Sequence, residues 1–148
     1  MKKVWLVVSC FAIAINFIFI VEMQELPRMY EAKILAERNA LLATYKSAAQ
    51  EIVQDIQGLS SLLLEQKRMI CPRLTLKKQL ECAVDFWQVE LLYRQIIEQA
   101  KRCYRAAAQG NLEEAYEHQE HLMNLFRQSM LLSQQNRQKY PILPVHPG

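Results

Sequence analysis

Hydrophobic and polar positions divide the chain into four stretches of different rhythm. The first, Val4 to Val21 (VWLVVSCFAIAINFIFIV), is a run of 18 residues without a charge, with Ser9 and Asn16 its only clearly polar members. As a helix it spans about 27 Å, close to the hydrocarbon thickness of a bilayer. From Arg28 a stripe follows at helical spacing: Ile34, Leu41, Tyr45, Ala48, Ile52, Ile56, Leu59, Leu63 and Ile70. It predicts a helix over residues 28–70. Pro27 ends one helix or starts the next, Gly58 is where the new helix kinks or splits, and Cys71-Pro72 stops it.

The third stretch predicts a second helix over 74–109, with Thr75 as its cap. Cys82, Phe86, Val89, Tyr93, Ile96, Ala100, Cys103 and Ala107 alternate steps of four and three, the spacing of a coiled-coil seam. Trp87, Leu91, Leu92, Ile97 and Tyr104 lie off that seam and widen the apolar surface, so this helix is expected to touch two neighbours. Phe86, Trp87, Tyr93 and Tyr104 are its candidate partner-surface residues.

Gln109-Gly110-Asn111-Leu112-Glu113-Glu114 is the clearest local signal. Gly110 fits the left-handed position after a helix, Asn111 caps the next one, and Glu114 closes a capping box. The third helix is predicted over 111–138, with Leu112, Ala115, Leu122, Phe126 and Met130 inward and Pro141 as its stop. So tight a connection requires the two helices to run antiparallel. Residues 141–148 are too proline-rich for a helix and read as polyproline-like; a frayed or loosely packed terminus is the simpler reading, a docking peptide the alternative.

The expected fold class is all-α. A single transmembrane helix precedes an elongated antiparallel three-helix bundle (four-helix if the first helix splits at Gly58) or a long helical hairpin. Only three glycines occur in 148 residues, too few for the turns of an all-β fold. The organisation is residues 1–3 cytoplasmic, 4–22 a signal-anchor, 23–140 an extracytoplasmic helical region and 141–148 the tail. Lys2, Lys3 and the terminal amine flank one end of the anchor, Glu22 and Glu25 the other. The positive-inside rule therefore keeps the N-terminus in the cytoplasm of a bacterium and places the rest in the periplasm. Ala12-Ile13-Ala14 has the form of a signal-peptidase site, and Val7 to Cys10 loosely that of a lipoprotein site. Cleavage at either leaves apolar residues stranded, so the anchor is expected to stay whole. Asn16 is the candidate contact with another spanning helix.

With Lys2 and Lys3 set aside, 16 basic residues face 15 acidic ones, interleaved as on a solvated helix surface. That balance argues against nucleic acid as a partner. Three cysteines follow the anchor. Cys82 and Cys103 share a helix about 32 Å apart and cannot bond, whereas Cys71 reaches Cys82 if the turn folds back. Cys71–Cys82 is the candidate disulfide, and Cys103 is left over. His118 and His121, with Glu114 a turn before His118, are a candidate metal set of unspecific spacing; a solvated polar face is the simpler reading. No H-E-x-x-H or C-x-x-C motif occurs, nor any glycine-rich phosphate loop. No catalytic residue or cofactor is expected.

Two local resemblances stand out. Residues 109–115 (QGNLEEA) resemble the turn inside a tetratricopeptide repeat, but no second copy follows at the required period of about 34 residues. Leu74-Thr75-Leu76-Lys77-Lys78-Gln79 resembles the L-T-x-x-Q motif of periplasmic helical-hairpin chaperones and metal-stress sensors, with the glutamine one position late. That resemblance implies an anchored chaperone or metal sensor as the alternative function. The leading expectation is a membrane-anchored interaction or structural protein, an accessory subunit or scaffold of a cell-envelope assembly such as a secretion or conjugation complex. Its partners are other proteins or further copies of itself, met through the second helix and the transmembrane helix.

Overall fold

The computed structural model describes residues 2–141, and side chains from Val8 onward. The expected tail falls almost wholly outside the described residues. The chain is all-α: helix α1 is Lys2–Ile70, a 3-10 turn covers Cys71–Arg73, α2 is Leu76–Ala108 and α3 is Leu112–Lys139. It divides into two units between Ala40 and Leu41.

In the first unit every described side chain is exposed. Contrary to expectation, Pro27 lies inside α1 and neither ends nor starts a helix. An interior proline costs about 3 kcal/mol and removes one backbone bond. Strong helix formers on both sides, Met23 to Leu26 and Arg28 to Met29, keep the helix continuous. Gly58 does not split α1 either.

The second unit holds one main core cluster and two smaller ones. Ala49 and Ile56 of α1 meet Val89, Tyr93, Ile96, Ala100 and Cys103 of α2, and Leu122 and Leu125 of α3. All eight positions of the predicted seam on α2 are buried. The stripe on α1 is phased differently from the expectation: Leu42 and Ala49 are buried, while Ile34, Leu41 and Leu59 are exposed. Adjacent leucines at 41 and 42 satisfy either phase, and the 3.6-residue period decides between them only when all three helices meet. On α3, Leu125 and Ser129 are buried where Met130 was expected to be; Met130 is exposed.

Cys103 Sγ donates to Ala115 O at 3.4 Å, and Asn136 Nδ2 donates to Asp85 O at 3.1 Å. Partner numbers rise on α3 as they fall on α2, so the two helices run in opposite directions. Their turn is a Schellman motif. Gly110, at φ +77°, donates to Ala107 O, and Asn111 N donates to Ala106 O. This bond alters the expected capping box. The Asn111 N–H is taken, so the Glu114 carboxylate accepts from Asn111 Nδ2 instead, while Glu114 N donates to Asn111 Oδ1. At the other end Thr75 holds the N-cap position, but its hydroxyl makes no capping bond. Gln79 Nε2 ties the turn by donating to Leu74 O at 2.9 Å and Pro72 O at 3.3 Å.

Candidate interaction surface

The chemistry-bearing residues gather at the end of the second unit where the 3-10 turn, the start of α2 and the end of α3 meet. Cys71 and Cys82 are joined by a disulfide, with Cα atoms 5.8 Å apart. Beside it Phe86 and Tyr140 pack with ring centroids 6.3 Å apart. Asp85, one of the chain's two aspartates, anchors α3 through three contacts. Its Oδ2 accepts from Lys139 Nζ at 2.8 Å and from the Tyr140 hydroxyl at 2.7 Å, and its backbone carbonyl accepts from Asn136. Partial burial opposes the charge on Asp85, but the bonds from Lys139 and Tyr140 outweigh it and hold the carboxyl below its usual range. Burial and the bond to Asp85 push the Tyr140 hydroxyl up, so it stays a donor. This latch has a structural role, and nothing in its local sequence marks it.

The expected partner surface separates into two parts. Phe86 and Tyr93 are buried in the chain's own core and are not surface residues. Both fall on the four-three seam, which faces α1 and α3. Tyr104 is half-buried, with Lys46 Nζ 5.6 Å from its ring centroid. Trp87 is 53% exposed, and it is not alone: Leu76, Leu80, Val84 and Leu91 are exposed with it, the first two at 80% and 70%. At about 100° per residue these five positions centre on the side of α2 opposite the buried seam. The helix thus has two apolar faces, one covered by the chain and one open. Leu76, Leu80 and Val84 extend the Trp87–Leu91 pattern backwards in steps of four, four and three, a signal present in the sequence.

Further along α2 the same side is charged and internally paired. Arg94 reaches Glu90 at 2.8 Å, and Arg102 and Arg105 reach Glu98 at 3.5 and 3.6 Å. Around the start of α2 the pattern changes. Lys67, Arg68, Arg73, Lys77 and Lys78 form no ion pair among the described residues.

The candidate metal set does not converge. His118 Nδ1 lies 2.9 Å from Gln99 Oε1 and Nε2 lies 3.6 Å from Glu114 Oε1, whereas His121 is exposed. Among the described residues no group of three or more His, Cys, Asp or Glu side chains is placed to hold a metal ion. Cys103 is a free thiol in the core, and burial pushes its pKa up.

In the first unit Asn16 Nδ2 donates to Ala12 O at 2.9 Å, which satisfies part of the amide within its own helix. Phe11, Ile13, Ile15, Phe17, Ile18 and Phe19 around it are exposed. Among the described residues α1 is the one helix long and apolar enough to cross a membrane, by length and composition. No model of a known protein family, no curated protein and no solved structure matches the chain.

Proposed function

We propose that this chain is a single-pass membrane-anchored interaction protein, an accessory subunit or scaffold of a bacterial cell-envelope assembly such as a secretion, conjugation or envelope complex. The observation that carries the reading is the open apolar face of α2, Leu76, Leu80, Val84, Trp87 and Leu91. Each such side chain gains about 1.5–3 kcal/mol on full burial, so a row of five left in water is a large unused driving force for association. The exposed apolar run up to Val21 supports the anchor, because its side chains find their low free energy in hydrocarbon. Lys2 and Lys3 before that run favour an N-terminus in the cytoplasm and a helical region in the periplasm. The Cys71–Cys82 disulfide fits that oxidising compartment. On this reading the second unit is an elongated antiparallel bundle with one helix prepared on both sides.

The test is purification of the full chain from native membranes in mild detergent. The reading expects a stoichiometric protein partner or a homo-oligomer, dissociated by Leu80→Glu with Trp87→Glu. A monodisperse monomer recovered from native membranes would refute it.

A further inference from the structure

We infer that the cavity between α1, α2 and the end of α3 is a binding site for a small apolar monocarboxylate, an aromatic or short-chain acid whose head is held by Ser133 and Arg137. The cavity lies on the covered side of α2, away from the open ridge, so the inference stands apart from the docking reading.

Packing leaves the space. Leu59, Leu63 and Ile70 of α1, with Phe86 and Tyr93 of α2, supply its apolar lining. The volume is about 260 Å³. A cavity of about 150 Å³ takes benzene, and ordinary ligand pockets begin at about 300 Å³. The space therefore suits one ring with a short side chain. A mostly apolar lining with a few convergent polar groups is the make-up of a ligand pocket.

Those polar groups select the occupant. Among the described residues, the Ser133 hydroxyl oxygen is the buried side-chain polar atom without a hydrogen-bond partner. A serine on a core helix ordinarily bonds its own backbone, as Ser129 Oγ does by donating to Phe126 O at 2.7 Å. Ser133 lines the cavity instead and bonds nothing there. Arg137 follows one turn later, about 6 Å along the axis and on the same face of α3. It is the charged residue in the lining, and it forms no ion pair among the described residues. The other polar groups nearby do not compete for an anion. Asn136 gives its amide to the Asp85 carbonyl, and the Asp85 carboxylate is taken by Lys139 and Tyr140. Gln66, on α1, is neutral. A single guanidinium with a hydroxyl donor beside it, and no acid in the lining, calls for a single negative charge. The planar fork of arginine matches a carboxylate, and the serine hydroxyl has a proton to give the same head.

The experiment titrates the full chain in zwitterionic nanodiscs with 3-phenylpropanoate, its neutral amide and phenylpropyl phosphate, with empty nanodiscs as the blank. Saturation-transfer NMR is expected to show the acid bound with a Kd below about 1 mM and about tenfold tighter than the amide. Arg137→Gln should remove that difference. Ser133→Ala should weaken the acid about tenfold and leave Tm unchanged or higher, because it deletes a buried hydroxyl that the fold does not use. A Tm lowered by Ser133→Ala with the affinity intact makes the hydroxyl structural and overturns the site. Equal binding of acid and amide overturns the carboxylate, and tighter binding of the phosphate overturns it in favour of a phosphate head. No binding of any probe by the full chain overturns the site; binding that appears only once residues 142–148 are removed makes the chain's own tail the occupant.

Discussion

Two substitutions on α2, Ile96→Ala and Leu80→Ala, separate its covered face from its open one. Ile96 has no exposed surface and sits in the core with Ile56 and Leu122. Truncating it removes a fully buried side chain and leaves a void between three helices, which costs about 2–5 kcal/mol. Leu80 keeps 70% of its surface exposed, so its burial within the chain is worth only about 0.5–1 kcal/mol, close to the spread of about 0.5 kcal/mol among ordinary surface substitutions. For a unit of this size 1 kcal/mol moves the midpoint by about 4–8 °C. Ile96→Ala is therefore expected to lower Tm by about ten degrees or more, and Leu80→Ala by a few degrees at most. Thermal unfolding of the purified full chain, followed at 222 nm with urea titration alongside, reads the difference. Equal losses in the two variants would refute the reasoning, because Leu80 would then be packed and the ridge would not be open.

Acid should weaken the latch at Asp85. Its folded pKa lies below the ordinary carboxylate value of about 3.9, so its contribution is present above that value and is lost as pH falls through the folded one. Asp85→Asn should flatten the stability profile below about pH 4, and an unchanged acid limb would count against the latch. The hydrogen bond to Asp85 raises the pKa of Lys139, so its contribution holds up to about pH 10.4 and is lost as pH rises through the raised value. Reducing Cys71–Cys82, or Cys71→Ser with Cys82→Ser, opens a short loop and should cost about 2–3 kcal/mol, measured by denaturant midpoint with and without reductant. Gly58→Ala should stabilise α1 by about 0.5–1 kcal/mol, since a Cβ there meets nothing within 4 Å, whereas Gly110→Ala should destabilise the α2–α3 turn through its positive φ.

Much of the fold was legible because helix period and turn chemistry are local. The α2 seam and the Gly110-Asn111 turn are written in consecutive residues, and each seam position is buried. The phase of α1 was not legible, because Leu41-Leu42 and Leu62-Leu63-Leu64 supply an apolar residue to either face. Pro27 misled because a strong local breaker was weighed against neighbours whose combined helix preference exceeds it. The latch of Asp85, Lys139 and Tyr140 joins residues more than 50 positions apart, and no local pattern announces such a pairing. The aromatic residues on α2 were grouped as one partner surface. Yet the four-three spacing already sets Phe86 and Tyr93 on the seam and Trp87 off it, and burial follows that division.

Hydroxyl-radical footprinting of Trp87 tests the central claim, that the second face of α2 is a docking surface. The indole is measured in native membranes and again after purification of the chain alone. The account predicts strong protection in membranes, lost on purification, with exposed Tyr116 on α3 equally reactive in both samples. Equal oxidation of Trp87 before and after purification would show an indole that never had a partner, and would contradict the account.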